Sequence, residues 1–230
     1  MTRRRRVKQK GGSHGIHETY VITLDKDSQR FKAVDAALNA AKVPFQIYPA
    51  VNGKTLDLET LPSIGVGRAL FQSRKVGGKP HNLGAIGCFL SHRNLYRDIL
   101  AKSKGPETQY LIFEDDVQVK PDFLEEFERR MKNVPEWDVV YFSKMFPVGD
   151  DIGNDLIHLK RDPNAVKNHG TWAYIIKEKC IRRLFDLLEH MMDQVDAQIN
   201  QEFDTMKAYC FNCNFVVTQA VGSTIANMEE

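Results

Sequence analysis

The chain has 230 residues, of which 42% are hydrophobic and 27% charged, with a mean hydropathy of −0.40. This length and composition are typical of one globular domain or two small ones, and they exclude a disordered, collagen-like or membrane-spanning protein. A long uncharged stretch at 209–228 contains too many polar residues to cross a bilayer, so it predicts core strands. No apolar segment follows the N-terminal arginines, and we therefore expect no signal peptide and a cytoplasmic location.

The first 15 residues form a basic segment. Its six positive charges leave 26 basic and 30 acidic residues elsewhere, so the rest of the chain is mildly acidic although the whole chain carries +2. A nucleic-acid-binding domain shows its basic excess on the folded surface, so we expect no nucleic-acid partner. We interpret 1–15 as a disordered arm, with weak contact to a membrane or polyanion as the alternative, and 16–230 as one domain.

Cysteine usage points to a reduced protein. Four cysteines are too few for a disulfide framework in a chain of this length. Cys210 and Cys213 form a CxxC pair, but no second pair accompanies it. The neighbouring phenylalanines favour a strand there over a structural zinc site.

Strand and helix patterns alternate along the chain. The opening run 19–24 is β-branched and aromatic, Ser28 is a candidate helix N-cap, and apolar residues then recur at helical spacing. The glycine-rich stretch 53–80 predicts loops. Strands are predicted at 19–24, 44–48, 109–113, 137–142 and 171–176, and helices at 28–41, 91–102, 121–131, 178–191 and 198–207. This order predicts an α/β fold with a mostly parallel central sheet flanked by helices.

Three acidic residues follow the apolar strand at 109–113. In an extended strand Glu114 and Asp116 project to one side, while Asp115 points away. At the carboxyl end of a parallel strand they would lie in the crevice where α/β sheets bind ligands. Two such carboxylates suit Mg²⁺ or Mn²⁺ with positions left open for a diphosphate. The alternative is that the acids only cap a solvated turn before Pro121.

Several segments, in this order and spacing, resemble glycosyltransferase family 25, which includes lipooligosaccharide and procollagen galactosyltransferases. The resemblance covers roughly residues 19–225. The segments that carry it are Tyr20–Leu24 with Arg30, Pro49–Gly53, Leu83–His92 (LGAIGCFLSH), Leu111–Asp116 (LIFEDD), Trp137–Tyr141, Gly170–Ile175, Val195–Asp196, and Gln219 with Ser223.

The resemblance implies a GT-A-like (Rossmann-like) fold, a UDP-hexose donor and an inverting transfer to a hydroxyl. It assigns Glu114 and Asp116 to a metal that bridges the donor diphosphate, as Mn²⁺ or Mg²⁺, and it lets Glu114 and Asp115 contact the donor. Two departures are Ala85, where the family usually has an acidic residue, and the reduction of paired basic residues near the first strand to Lys26 and Arg30.

Four further residues are assigned to the donor pocket: Arg30, Asn52, Ser91 and His92. Each has a structural alternative. Arg30 is equally typical of a solvated helix surface, and Asn52 of a turn. Ser91 and His92 suit a capping serine and a core histidine at the start of a helix.

Asp196 is the candidate general base that deprotonates the acceptor hydroxyl, because the resemblance places it in the acceptor-side segment. The alternative is an N-cap for a helix beginning at Gln198.

The sequence thus predicts a metal-dependent hexosyltransferase that moves galactose, or next glucose, to a glycan or hydroxylysine-type acceptor. A metal-dependent phosphoester hydrolase would need more carboxylates or histidines at the metal, and the sequence offers no compact set. A catalytically inactive sugar-nucleotide or glycan-binding module is the remaining alternative, which Ala85 keeps open. The oligomeric state is not predicted.

Overall fold

The computed structural model describes residues 15–67, 83–164, 167–213 and 216–219, together with the backbone of 75–76 and 79–80. The predicted arm lies outside this part of the chain except for its last residue, and so does Ser223. The predicted division into an arm and a single domain therefore stays a prediction.

Strands and helices alternate along the described residues. In chain order they are β1 (Ile16–Thr23), α1 (Gln29–Ala40), β2 (Gln46–Pro49), β3 (Lys75–Val76), β4 (Lys79–Pro80), α2 (Leu83–Leu100), β5 (Gln109–Glu114), β6 (Val117–Gln118), α3 (Phe123–Met131), β7 (Val139–Tyr141), β8 (Gly149–Asp151), β9 (Leu156–Leu159), β10 (Ala173–Lys177), α4 (Glu178–Leu187), α5 (Val195–Asn200), β11 (Ala208–Phe211) and β12 (Val217–Thr218). Short 3₁₀ helices at 53–55 and 61–64 follow β2.

Eight of these strands form one sheet in the order β2-β1-β5-β10-β7-β11-β9-β8. The pairings give six strands that run in one direction and two, β10 and β9, that run in the other. The α/β fold with a mostly parallel central sheet is therefore confirmed, and it is consistent with a Rossmann-like GT-A fold. Because β10 is reversed, its first residues lie at the same edge as the last residues of β1 and β5.

Both faces of the sheet are covered by helices. Alternate strand residues such as Ile112 and Tyr174 face a core with α2, α4 and α5. Their neighbours, such as Phe113 and Ile175, face a second core with α1 and α3. Side chains of the central strands point to opposite faces in turn, so the buried stretches 110–113 of β5 and 173–176 of β10 are continuously apolar.

The predicted start of α1 is confirmed, since Ser28 Oγ accepts a hydrogen bond from the backbone N–H of Phe31 at 3.1 Å. The strand interpretation of the CxxC pair is supported by Cys210, which lies buried in β11. All four cysteines are free thiols.

Two helices begin earlier than predicted. α2 starts at Leu83 rather than near Ser91, so Gly84 and Gly87 lie within the helix. α5 starts at Val195 rather than Gln198, so Asp196 lies in its first turn and Gln194 occupies the N-cap. The N-cap interpretation of Asp196 is therefore wrong.

Gly87 permits the backbone of α2 to pack directly on the segment after β2. A Cβ at this position would lie 2.5 Å from the Val51 carbonyl oxygen and 2.8 Å from the Gly53 nitrogen. We expect Gly87→Ala to destabilise the fold by about 1–3 kcal/mol through overpacking. Arg97→Ala, on the exposed side of the same helix, should change stability by less than about 0.5 kcal/mol. Equal denaturation midpoints for the two variants would contradict this close approach.

Candidate active site

A cleft of about 360 Å³ lies at the edge of the sheet where β1 and β5 end and β10 begins. Open α/β sheets bind ligands at this edge. The cleft is lined by all the donor-side and metal residues predicted from the sequence, namely Arg30, Asn52, Ser91, His92, Glu114, Asp115 and Asp116. Thr23 and Trp172, which the sequence analysis did not single out, also line it.

Arg30 holds two acids of the triplet on one side of the cleft. Its Nη2 lies 2.8 Å from Asp115 Oδ1 and 3.2 Å from Asp116 Oδ2, and Thr23 Oγ1 donates to Asp115 Oδ2 at 2.5 Å. The expectation that Asp115 points away is wrong, because β5 ends at Glu114 and the next two residues form a turn. Strand alternation therefore stops before Asp115.

Two buried polar atoms in the described residues lack a hydrogen-bond partner, and both belong to this cluster: Arg30 Nε and Asp116 Oδ1. Burial, and then the nearby charge of Glu114, raise the pKa of Asp116 to about 7. An unpaired acceptor suits a cation, and an unpaired guanidinium donor suits an anion. The cluster therefore fits a ligand that supplies both a cation and an anion, such as a divalent cation with a diphosphate.

Glu114 faces a different set of partners. Its Oε1 accepts a hydrogen bond from Thr171 Oγ1 at 2.6 Å and lies 3.2 Å from His92 Nε2. His92 Nδ1 lies 2.9 Å from the Tyr174 hydroxyl, which in turn contacts the Tyr96 hydroxyl at 2.9 Å. Burial opposes ionisation of Glu114, but the His92 and Thr171 contacts outweigh it and lower its pKa. Glu114 is thus kept as a carboxylate.

Ser91 and Asn52 shape the cleft wall through their own hydrogen bonds. Ser91 Oγ donates to the Gly87 carbonyl at 2.6 Å and accepts from the Val51 N–H at 2.8 Å. Asn52 Oδ1 accepts from the Lys54 N–H at 3.0 Å, which is a turn geometry. Because Ser91 lies in the middle of α2, its interpretation as a capping serine is wrong.

Asp196 lies outside the residues that line this cleft. Its Oδ2 accepts from the Gly170 N–H at 2.8 Å and lies 3.4 Å from His169 Nδ1, while Oδ1 accepts from the Ala197 N–H at 2.8 Å. Asp196 therefore joins α5 to the segment that leads into Thr171 and the cleft. His169 was not identified from the sequence.

A buried lysine, Lys144, holds the backbone on both sides of His169. Lys144 Nζ donates to the carbonyls of Asn168 and Gly170 at 2.7 and 2.8 Å, and it lies 4.1 Å from the ring centroid of Tyr141. Burial lowers the pKa of Lys144 to about 8. Asn168 and Gly170 both have positive φ, at 61° and 99°, so His169 lies between two left-handed residues. Glycine and asparagine are the residues that adopt this region most readily.

Comparison with known proteins identifies the family. Residues 16–199 match the model of a family described as "Glycosyltransferase family 25 (LPS biosynthesis protein)". The chain belongs to glycosyltransferase family 25. The resemblance inferred from the sequence is thereby confirmed.

Curated family 25 proteins resemble parts of this chain. The rat protein "Probable inactive glycosyltransferase 25 family member 3" is 29% identical over 60% of the chain and 24% of its own length. Zebrafish "Procollagen galactosyltransferase 1" is 28% identical over 56% of the chain and 22% of its own length. Human "Procollagen galactosyltransferase 2" is 24% identical over 67% of the chain and 23% of its own length. The chain thus spans about a quarter of these relatives.

Membership of family 25 supports a glycosyltransferase, and the relatives include galactosyltransferases and proteins named inactive. Ala85, the departure that raised the possibility of inactivity, is buried in α2 and does not line the cleft. None of the described helices is both long and apolar enough to span a membrane.

Proposed function

We propose that this family 25 chain is an inverting, metal-dependent hexosyltransferase that uses a UDP-sugar, with galactose favoured over glucose. The observation that carries the proposal is the pair of unpaired buried atoms, Arg30 Nε and Asp116 Oδ1, in a cleft at the ligand-binding edge of the sheet. One atom needs an acceptor and the other a donor or a cation, which a metal-bound nucleoside diphosphate supplies together.

Glu114 and Asp116 are the residues that would hold Mn²⁺ or Mg²⁺. Their carboxylate oxygens are the ligands that such hard cations prefer, and the mutual repulsion of the two acids is relieved by a cation. When bound, the cation would neutralise charge on the departing diphosphate. Arg30 would add a donor to a phosphate oxygen, while Asp115, held by Thr23 and Arg30, faces the same cleft.

The acceptor hydroxyl must lose its proton as it attacks the anomeric carbon. We assign this step to Asp196 together with His169. Asp196 is fixed by two backbone N–H groups and lies 3.4 Å from His169 Nδ1, so the carboxylate can orient the imidazole. The acceptor class, a glycan or hydroxylysine-type hydroxyl, is part of the proposal.

The second candidate is a catalytically inactive module that binds a sugar nucleotide or glycan. It is favoured by the names of several relatives, which call those proteins inactive or probably inactive. An inactive module can bind a UDP-sugar, but only a transferase cleaves it.

UDP release and UDP binding together test the proposal. We expect Mn²⁺ to tighten UDP binding in calorimetry, because diphosphate oxygens complete the coordination that Glu114 and Asp116 begin. A panel of UDP-sugars with Mn²⁺ should then release UDP fastest from UDP-galactose, and faster still when an acceptor is added.

The metal-free protein with chelator is the matched control. Binding without UDP release would favour the inactive module. UDP affinity that is the same with and without Mn²⁺ would contradict the metal assignment.

A further inference from the structure

Cys88, His92 and Glu114 form a second cluster in the cleft wall. One ligand atom from each residue, a thiol sulfur, an imidazole nitrogen and a carboxylate oxygen, lies within 4.8 Å of the other two. This set shares Glu114 with the acids predicted to bind Mn²⁺ or Mg²⁺ but does not include Asp116.

The cluster follows from the position of α2 against β5. Cys88 and His92 are four residues apart, so they lie on the same side of α2 one turn from each other. Glu114 is the last residue of β5. Ile112, two residues earlier in the same strand, packs in the core that includes α2. Helix and strand thus bring three different ligand types to one point, and all three residues line the cleft.

His92 is oriented as a metal ligand would be. Its side chain is only 1% exposed, and its Nδ1 contacts the Tyr174 hydroxyl at 2.9 Å, which directs Nε2 toward Glu114. Metal-binding histidines almost always make such an outer contact through the second ring nitrogen. The 3.2 Å between His92 Nε2 and Glu114 Oε1 is close to the roughly 3.3 Å expected for two ligands of one tetrahedral ion with bonds of about 2.0 Å.

The ligand types select the metal. Mg²⁺ and Mn²⁺ prefer oxygen ligands, whereas sulfur, imidazole and carboxylate together suit Zn²⁺. Three protein ligands leave the fourth tetrahedral position for water or another ligand from the cleft.

We propose that Cys88, His92 and Glu114 form a Zn²⁺ site that opens into the cleft. The thiol of Cys88 gives its proton to solvent when the Zn–S bond forms. This proposal rests on the three side chains and does not depend on the proposed transferase activity. Because the site uses Glu114, Zn²⁺ bound there should also compete with Mn²⁺ for that carboxylate.

Co²⁺ is the probe, because a thiolate ligand gives Co²⁺ a near-ultraviolet charge-transfer band that oxygen ligands do not give. The reduced, metal-free, tag-free full chain is titrated with Co²⁺ without nucleotide. We expect this band with visible bands of a tetrahedral ion, and their loss when one equivalent of Zn²⁺ is added. Cys88→Ser should remove the charge-transfer band, whereas Cys213→Ser, the matched thiol control, should retain it.

Two further variants test the geometry. His92→Gln should lower Zn²⁺ affinity, measured by chelator competition, by about tenfold or more, and Tyr174→Phe should lower it by about 10- to 100-fold through lost orientation of His92. Far-ultraviolet circular dichroism checks that each variant is folded. A wild-type Co²⁺ spectrum without a charge-transfer band, or a band unaffected by Cys88→Ser, would overturn the proposal. UDP release is not measured in these experiments, so their outcome does not depend on whether the chain is a transferase.

Discussion

Asp116→Asn should reduce both hexose transfer and UDP-sugar hydrolysis by about a thousandfold or more. The substitution removes a metal ligand, and with it an electrostatic stabilisation of the leaving diphosphate worth several kcal/mol, of which about 4 kcal/mol corresponds to a thousandfold in rate. An asparagine side chain keeps the size of the residue and an oxygen for Arg30 Nη2, so the fold should persist. Initial rates of UDP release with saturating UDP-galactose and Mn²⁺ measure the effect.

Asp122→Asn is the matched control, because Asp122 is exposed and lies six residues away in the turn before α3. It should leave both rates unchanged. The melting temperature of Asp116→Asn should not fall, since burial near Glu114 makes the Asp116 charge unfavourable in the fold. An Asp116→Asn protein that hydrolyses UDP-galactose at the wild-type rate would rule out Asp116 as a metal ligand.

Much of the fold follows from local sequence patterns. The apolar spacing of Phe31, Val34 and Leu38 predicted the buried side of α1, and the continuous apolar run of β5 predicted a strand covered on both faces. Placing the acids at the carboxyl end of β5 then predicted the position of the cleft. This step needs only the direction of the strand, which the alternation of strands and helices already indicates.

Features that depend on tertiary contact could not be predicted. The sequence does not show that Val51 and Gly53 press against α2 at Gly87. The orientation of Asp115 depends on whether β5 ends before or after it. If the strand ends one residue earlier than expected, the Asp115 side chain is no longer bound to the side of the sheet that strand alternation predicts. Lys144 is a buried lysine without any local pattern that marks it.

The Cys88–His92–Glu114 cluster was missed because of the misplaced start of α2. With a helix from Leu83, the four-residue spacing of Cys88 and His92 predicts a shared helical surface, and both His92 and Glu114 were already predicted to bind the donor. The error in one helix boundary therefore hid a pair of ligands. Helix boundaries are the least reliable part of such predictions.

Asp196→Asn should lower hexose transfer by about a hundredfold or more while leaving Mn²⁺ and UDP binding intact, because it removes a base and not a donor ligand. His169→Gln should cause a loss of similar size if the two residues act as a unit, and the double variant should then be little worse than either single one. Hydrolysis of the UDP-sugar by water should fall less. Transfer rates at saturating acceptor, with calorimetry for UDP, measure these effects.

The stability of these variants decides how the rates are interpreted. Both Asp196 oxygens accept backbone N–H groups, so an asparagine amide leaves one of them without an acceptor, at a cost of about 1–3 kcal/mol. Melting curves must therefore show that Asp196→Asn is folded at the assay temperature. His190→Gln, a change to an exposed histidine on the loop before α5, is the matched control and should transfer at the wild-type rate. If folded Asp196→Asn also transfers hexose at the wild-type rate, Asp196 only fixes Gly170 to α5, and a different residue accepts the proton.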